Sequence, residues 1–106
     1  MTTSAGILVV KKDWKDLMGR GKAATQILEG FHVCQEHPEL LGKAIEKAMG
    51  KPESKGENKE EIMATSLKWQ PKELDAFDLM AKKFRTNRSG LVQWINKGIL
   101  DRIIAW

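Results

Sequence analysis

The sequence predicts a mainly α-helical protein with one short ribbon strand per chain, a strand that forms a two-stranded antiparallel ribbon by pairing with a second copy. Three observations lead there. Apolar residues recur at helical spacing in several short segments, most clearly over 22–35, 38–50, 71–84 and 91–103. A strict two-residue alternation runs from Ile62 to Trp69. Between the halves, Gly50 to Glu61 carries no apolar side chain and mixes Gly, Pro and both signs of charge, which marks a solvated linker.

Taken in order, Gly6-Ile7-Leu8-Val9-Val10 is a β-branched run suited to a short strand. Asp13 is placed to cap a brief helical turn through Leu17, and Gly19-Arg20-Gly21 breaks it. Residues 22–35 carry Ala23, Ile27, Phe31 and Cys34 on one helical face. Pro38 opens another helix, with Leu40, Leu41, Ala44, Ile45 and Ala48 along one side, and Gly50 ends it. Residues 1–50 thus read as an α-rich region for assembly or partner contact, 51–61 as a linker, and 62–106 as a distinct module. No internal sequence repeat crosses the linker.

In the module, Met63, Thr65, Leu67 and Trp69 point to one face of the strand, and Ile62, Ala64, Ser66 and Lys68 to the other. Pro71 suits a first helical turn, and Leu74, Phe77, Ala81 and Phe84 form the stripe of the helix that follows. Arg85 to Ser89 interrupts that stripe, with Asn87 the best-placed cap for the next helix. Leu91, Val92, Ile95, Ile99 and Ile103 continue as its apolar face. Trp69 and Trp94 fall on the apolar faces and read as core rather than as platforms for bases. A lone strand leaves both edges unpaired and two helices cannot enclose their own stripes, so a second copy is expected to close the core.

Ala64 to Trp69, Pro71-Lys72-Glu73-Leu74, Phe77, Met80-Ala81 and Asn87 to Val92 together resemble the ribbon-helix-helix repressors of the Met and Arc type. The resemblance covers a little under half of the chain. It implies a DNA-binding homodimer with a small N-terminal helical extension. Its ribbon would lie in the major groove with Ala64, Ser66 and Lys68 at base edges. Asn87, Arg88 and Ser89 at the second helix start would meet phosphates, helped by the helix dipole. One departure stands out: such families often place Gly at the turn between the helices, where this chain has Arg85, and a left-handed cap is costly for a side chain.

Charge and composition agree with that expectation. Residues 62–106 hold eight basic against four acidic residues, so the net charge of +4 sits in the module. A single cysteine permits no internal disulfide and suits a reducing, cytoplasmic setting. No basic leader or membrane-length apolar run is evident, so no membrane partner is expected. His32, Cys34 and His37 lie close in sequence but lack the paired spacing of a zinc site, and Gly19-Arg20-Gly21-Lys22 lacks the spacing of a phosphate-binding loop, so no metal and no cofactor is expected. No nucleophile–base–acid set is visible, which argues against an enzyme. The expected role is a sequence-specific transcriptional repressor or plasmid or phage control protein binding double-stranded DNA. The alternative is a protein-interaction factor, an antitoxin or inhibitor, that uses the module mainly to dimerise and residues 1–50 to hold a partner.

Overall fold

The computed structural model describes residues 2–50 and 61–106 and runs β1 (Thr3–Val10), α1 (Lys11–Met18), α2 (Ala23–Glu36), α3 (Pro38–Gly50), β2 (Ile62–Trp69), α4 (Pro71–Lys83) and α5 (Arg88–Leu100). The linker expected at 51–61 lies, apart from Glu61, outside the described residues. The protein is mainly helical with a two-stranded antiparallel sheet, as the alternation and helical periodicities predict.

The source of the second strand differs from expectation. β2 pairs with β1 of the same chain, in a register from Thr3↔Trp69 through Gly6↔Ser66 to Val10↔Ile62. The ribbon is therefore intramolecular. The physical reason lies in β1, which is longer than the Gly6–Val10 run: Ser4, Gly6 and Leu8 are exposed while Ala5, Ile7 and Val9 are buried. It offers β2 a half-buried strand of matching length, and the hydrogen bond from the Lys11 N–H to the Glu61 carbonyl (2.8 Å) extends the pairing one step further.

One apolar core joins both halves of the chain. Ala5, Ile7 and Val9 of β1 and Leu67 and Trp69 of β2 face Leu17, Ile27, Phe31, Leu41, Phe77, Leu91, Val92, Ile95 and Ile99, all buried. Full burial of side chains of this size stabilises by roughly 1.5–3 kcal/mol each. An aromatic cluster ties the halves together. Phe31 of α2 meets Phe77 of α4 and Trp69 of β2 edge-on, with ring centroids 5.0 and 6.2 Å apart, and Trp69 and Phe77 are 4.7 Å apart. Trp69 thus belongs to the core, and Trp94 is partly buried against it. The Cα radius of gyration, 13.2 Å, is close to the ~13 Å of a single compact domain of this length.

Helix boundaries follow local chemistry with two adjustments. α1 springs directly from β1, with Val10 at its cap position, so Asp13 sits in the first turn and pairs with Lys97 (3.8 Å). α5 ends at Leu100, short of Ile103, because Arg102 turns left-handed (φ 62°) and the Ile103 N–H returns to the Gly98 carbonyl (2.9 Å). The same closure ends α4. Arg85 is left-handed (φ 59°), the Arg85 N–H bonds the Lys82 carbonyl, and the Thr86 N–H bonds the Ala81 carbonyl. Arg85 therefore occupies the position where glycine would be least strained.

Candidate nucleic-acid interface

One face of the ribbon packs on the core and the other is open. From β2 the open face takes Ala64, Ser66 and Lys68, all exposed, as the alternation predicts. The register sets Leu8 opposite Ala64, Gly6 opposite Ser66 and Ser4 opposite Lys68. Half of the face thus comes from Ser4, Gly6 and Leu8, which are not among the base-contacting positions expected from β2 alone. The signal was present in the alternation from Ser4 to Val9, but nothing local says which strand β1 pairs with. No carboxylate lies on these six positions, and Lys68 is the one charge among them. At mid-ribbon the surface is open, since a Cβ built on Gly6 meets nothing within 4 Å.

The start of α5 stands against the outer edge of β1. The Leu8 N–H donates to Ser89 Oγ (2.8 Å), and Gln93 Nε2 donates to the Leu8 carbonyl (2.9 Å). These side chains occupy main-chain groups that an edge strand would otherwise offer to another chain. Asn87 caps α5 as predicted, its Oδ1 accepting from the Gly90 N–H (2.8 Å). Glycine suits position 90 because a Cβ there would collide with the Thr86 hydroxyl. Arg88 makes a two-point contact with Asp78, through Nε (2.6 Å) and Nη2 (2.7 Å). That hydrogen bonding pushes the guanidinium still further above its already high range.

Asn87, Arg88 and Ser89 therefore lie together beside the ribbon, each with an internal partner. What they retain for an external anion is specific. Arg88 has five N–H donors and commits two of them to Asp78. Ser89 accepts from Leu8, so its own hydroxyl proton can point outward. The N–H groups of a first helical turn have no intrahelical acceptor. A cleft at this corner is lined by Gly6, Asp78, Lys82, Asn87, Arg88 and Ser89, and so links mid-ribbon to the helix start.

Elsewhere, His32 Nε2 lies 3.2 Å from Glu73 Oε2 and His37 Nδ1 lies 3.4 Å from Glu39 Oε2, while Cys34 is wholly buried. Burial pushes the Cys34 thiol up to about 12. These three side chains are not brought together, and among the described residues no group of three His, Cys, Asp or Glu side chains is placed to hold a metal. No described helix is long and apolar enough to cross a membrane. The chain matches no family model, no curated protein and no solved structure.

Proposed function

We propose that this chain is a sequence-specific double-stranded-DNA-binding protein, a transcriptional repressor or a plasmid or phage control protein, that reads the major groove with its two-stranded ribbon. The observation that carries the reading is the open ribbon face, which is free of carboxylates, bears Lys68, and is flanked by the start of α5. A major groove about 12 Å wide admits a two-stranded ribbon. Lys68 then donates to guanine O6 and N7, Ser66 bonds either acceptor or donor edges, and Ala64 and Leu8 pack on thymine methyls. Asn87, Arg88 and Ser89 hold the backbone, which fixes register without reading sequence. Homodimerisation was expected as the means of completing the ribbon. In this reading β1 completes it, and residues 1–50 supply half of the reading face.

One observation favours a second reading. Leu8 and Ile62 are large apolar residues, 51% and 53% exposed, at one end of the same face. An exposed apolar patch suits a protein partner, as in an antitoxin or inhibitor. A salt-titrated gel shift separates the two, using duplexes that flank the protein's own gene. For DNA readout, Lys68→Ala loses sequence preference, whereas Arg88→Ala weakens all duplexes alike and flattens the salt slope by about one. Wild-type protein that prefers no duplex at moderate salt removes the DNA reading and leaves the protein-partner one.

A further inference from the structure

The chain repeats one architecture. β1–α1–α2 and β2–α4–α5 are each a strand followed by two helices. Lys11 opens α1 as Pro71 opens α4, an offset of 60. At that same offset the buried Ile7, Val9, Trp14 and Leu17 fall on the buried Leu67, Trp69, Leu74 and Phe77. In the second helices the offset becomes 65, because α4 has 13 residues where α1 has 8. There Gln26, Ile27, Gly30, Phe31 and Cys34 of α2 fall on Leu91, Val92, Ile95, Asn96 and Ile99 of α5, and every one is buried. The placement repeats as well. Ser89 of α5 holds the edge of β1 at Leu8, and their counterparts Ala24 and Lys68 line one cleft at the edge of β2.

We infer that one chain is a complete, two-half ribbon reader that binds DNA as a monomer at a non-palindromic site, with Leu8 and Lys68 as the two unlike reading heads. The inference rests on the DNA reading above. A symmetric homodimer presents the same side chain to each half-site, so its operator mirrors its two-fold axis. Here the equivalent positions differ: Lys68 against Leu8, and Ala64 against Ser4. A lysine selects guanine acceptors and a leucine selects thymine methyls, so the two half-sites must differ.

The core is matched to this asymmetry. Where α2 crosses α5, Gly30 meets its own counterpart. A Cβ on Gly30 would stand 2.9 Å from Ile95 Cγ2 and 3.1 Å from Ile99 Cδ1. An isologous pairing of two α5 helices would set Ile95 against Ile95, with no glycine to receive it. The halves therefore fit each other better than either fits a copy of itself. DNA is the occupant indicated for the open face because that face carries Lys68 and no carboxylate, and the basic excess of the chain lies in the half that contributes it.

The test selects duplexes from a random pool with the full chain, measures the native mass of the complex, and repeats the selection with Leu8→Lys, Lys68→Leu and the double exchange. Both positions are exposed, and circular dichroism checks that each variant is folded. The expected complex holds one chain per duplex on an asymmetric site. Each single variant loses about tenfold discrimination at its own end. The double exchange moves the guanine preference to the opposite end. Two chains on a palindromic site, or both variants acting on the same base pairs, overturn this inference and leave the DNA reading standing. A pool that yields no duplex removes the DNA reading itself, and this inference with it.

Discussion

Phe31→Ala tests whether the N-terminal helices are part of the same folding unit as the ribbon. Phe31 has no exposed surface, and its ring stands edge-on to Phe77 at 5.0 Å and to Trp69 at 6.2 Å. A buried Phe→Ala change costs about 3–5 kcal/mol, and the two aromatic pairs, each contributing about 0.5–1.5 kcal/mol, place this site in the upper part of that range. Taken as about 4 kcal/mol, the loss is a large share of the roughly 5–15 kcal/mol expected for a domain of this size. With a urea slope of about 1.5 kcal/mol/M, the midpoint falls by roughly 2–3 M. Equilibrium urea unfolding followed by tryptophan fluorescence reads it, because Trp69 touches both Phe31 and Phe77. A single transition, displaced by that amount and independent of protein concentration, is expected. A shift below about 0.5 M, or a second transition in which the C-terminal helices stay folded, refutes the shared core.

Other consequences are as direct. Arg85→Gly relieves a left-handed side chain at the end of α4. The relief of roughly 1–2 kcal/mol is partly offset by about 0.4–1 kcal/mol of unfolded-chain entropy, so the urea midpoint rises by the equivalent of about 0.5–1 kcal/mol. Cys34, buried and with its thiol pushed up to about 12, resists a thiol reagent at pH 8 until urea unfolds the chain. Because the unfolded thiol ionises near about 8.5, the stabilisation from burying it is complete below that pH and is lost as pH rises towards 12. The urea midpoint therefore falls across that alkaline window, and Cys34→Ala flattens the fall. Asp78→Asn removes a carboxylate from the cleft and frees Arg88, so DNA affinity rises several-fold and its salt dependence steepens by about one phosphate contact.

What could be read from the sequence was what short-range chemistry decides. The alternation of Ile62 to Trp69 encodes a strand with one wet face, and Pro71 and the Asn87 cap encode where α4 and α5 begin. The intramolecular pairing was hidden because no local pattern names a partner 60 residues away, as Gly6 is from Ser66. In sequence alone, an unpaired strand points to a second copy. The repeat is not legible in the sequence because it preserves only apolar character: Val9 stands where Trp69 does, and Gly30 where Ile95 does. Complementary packing requires that difference in size and erases the sequence likeness. In the candidate site, the outward positions of β2 were legible, whereas Ser4, Gly6 and Leu8 depended on register. Arg88 looked like a free cation because Asp78 lies ten residues back, across a turn that only the folded chain brings round.

The most direct measurement compares two charge reversals of equal net effect for binding to a selected duplex at moderate salt. Lys68→Glu alters the open ribbon face, whereas Lys43→Glu alters an exposed position on α3, a helix that packs on α2 and α5. Readout by the ribbon predicts that Lys68→Glu loses at least about tenfold in affinity, while Lys43→Glu stays within about twofold to threefold of wild type. Equal losses in the two variants would contradict it, since binding would then follow net charge and not the ribbon.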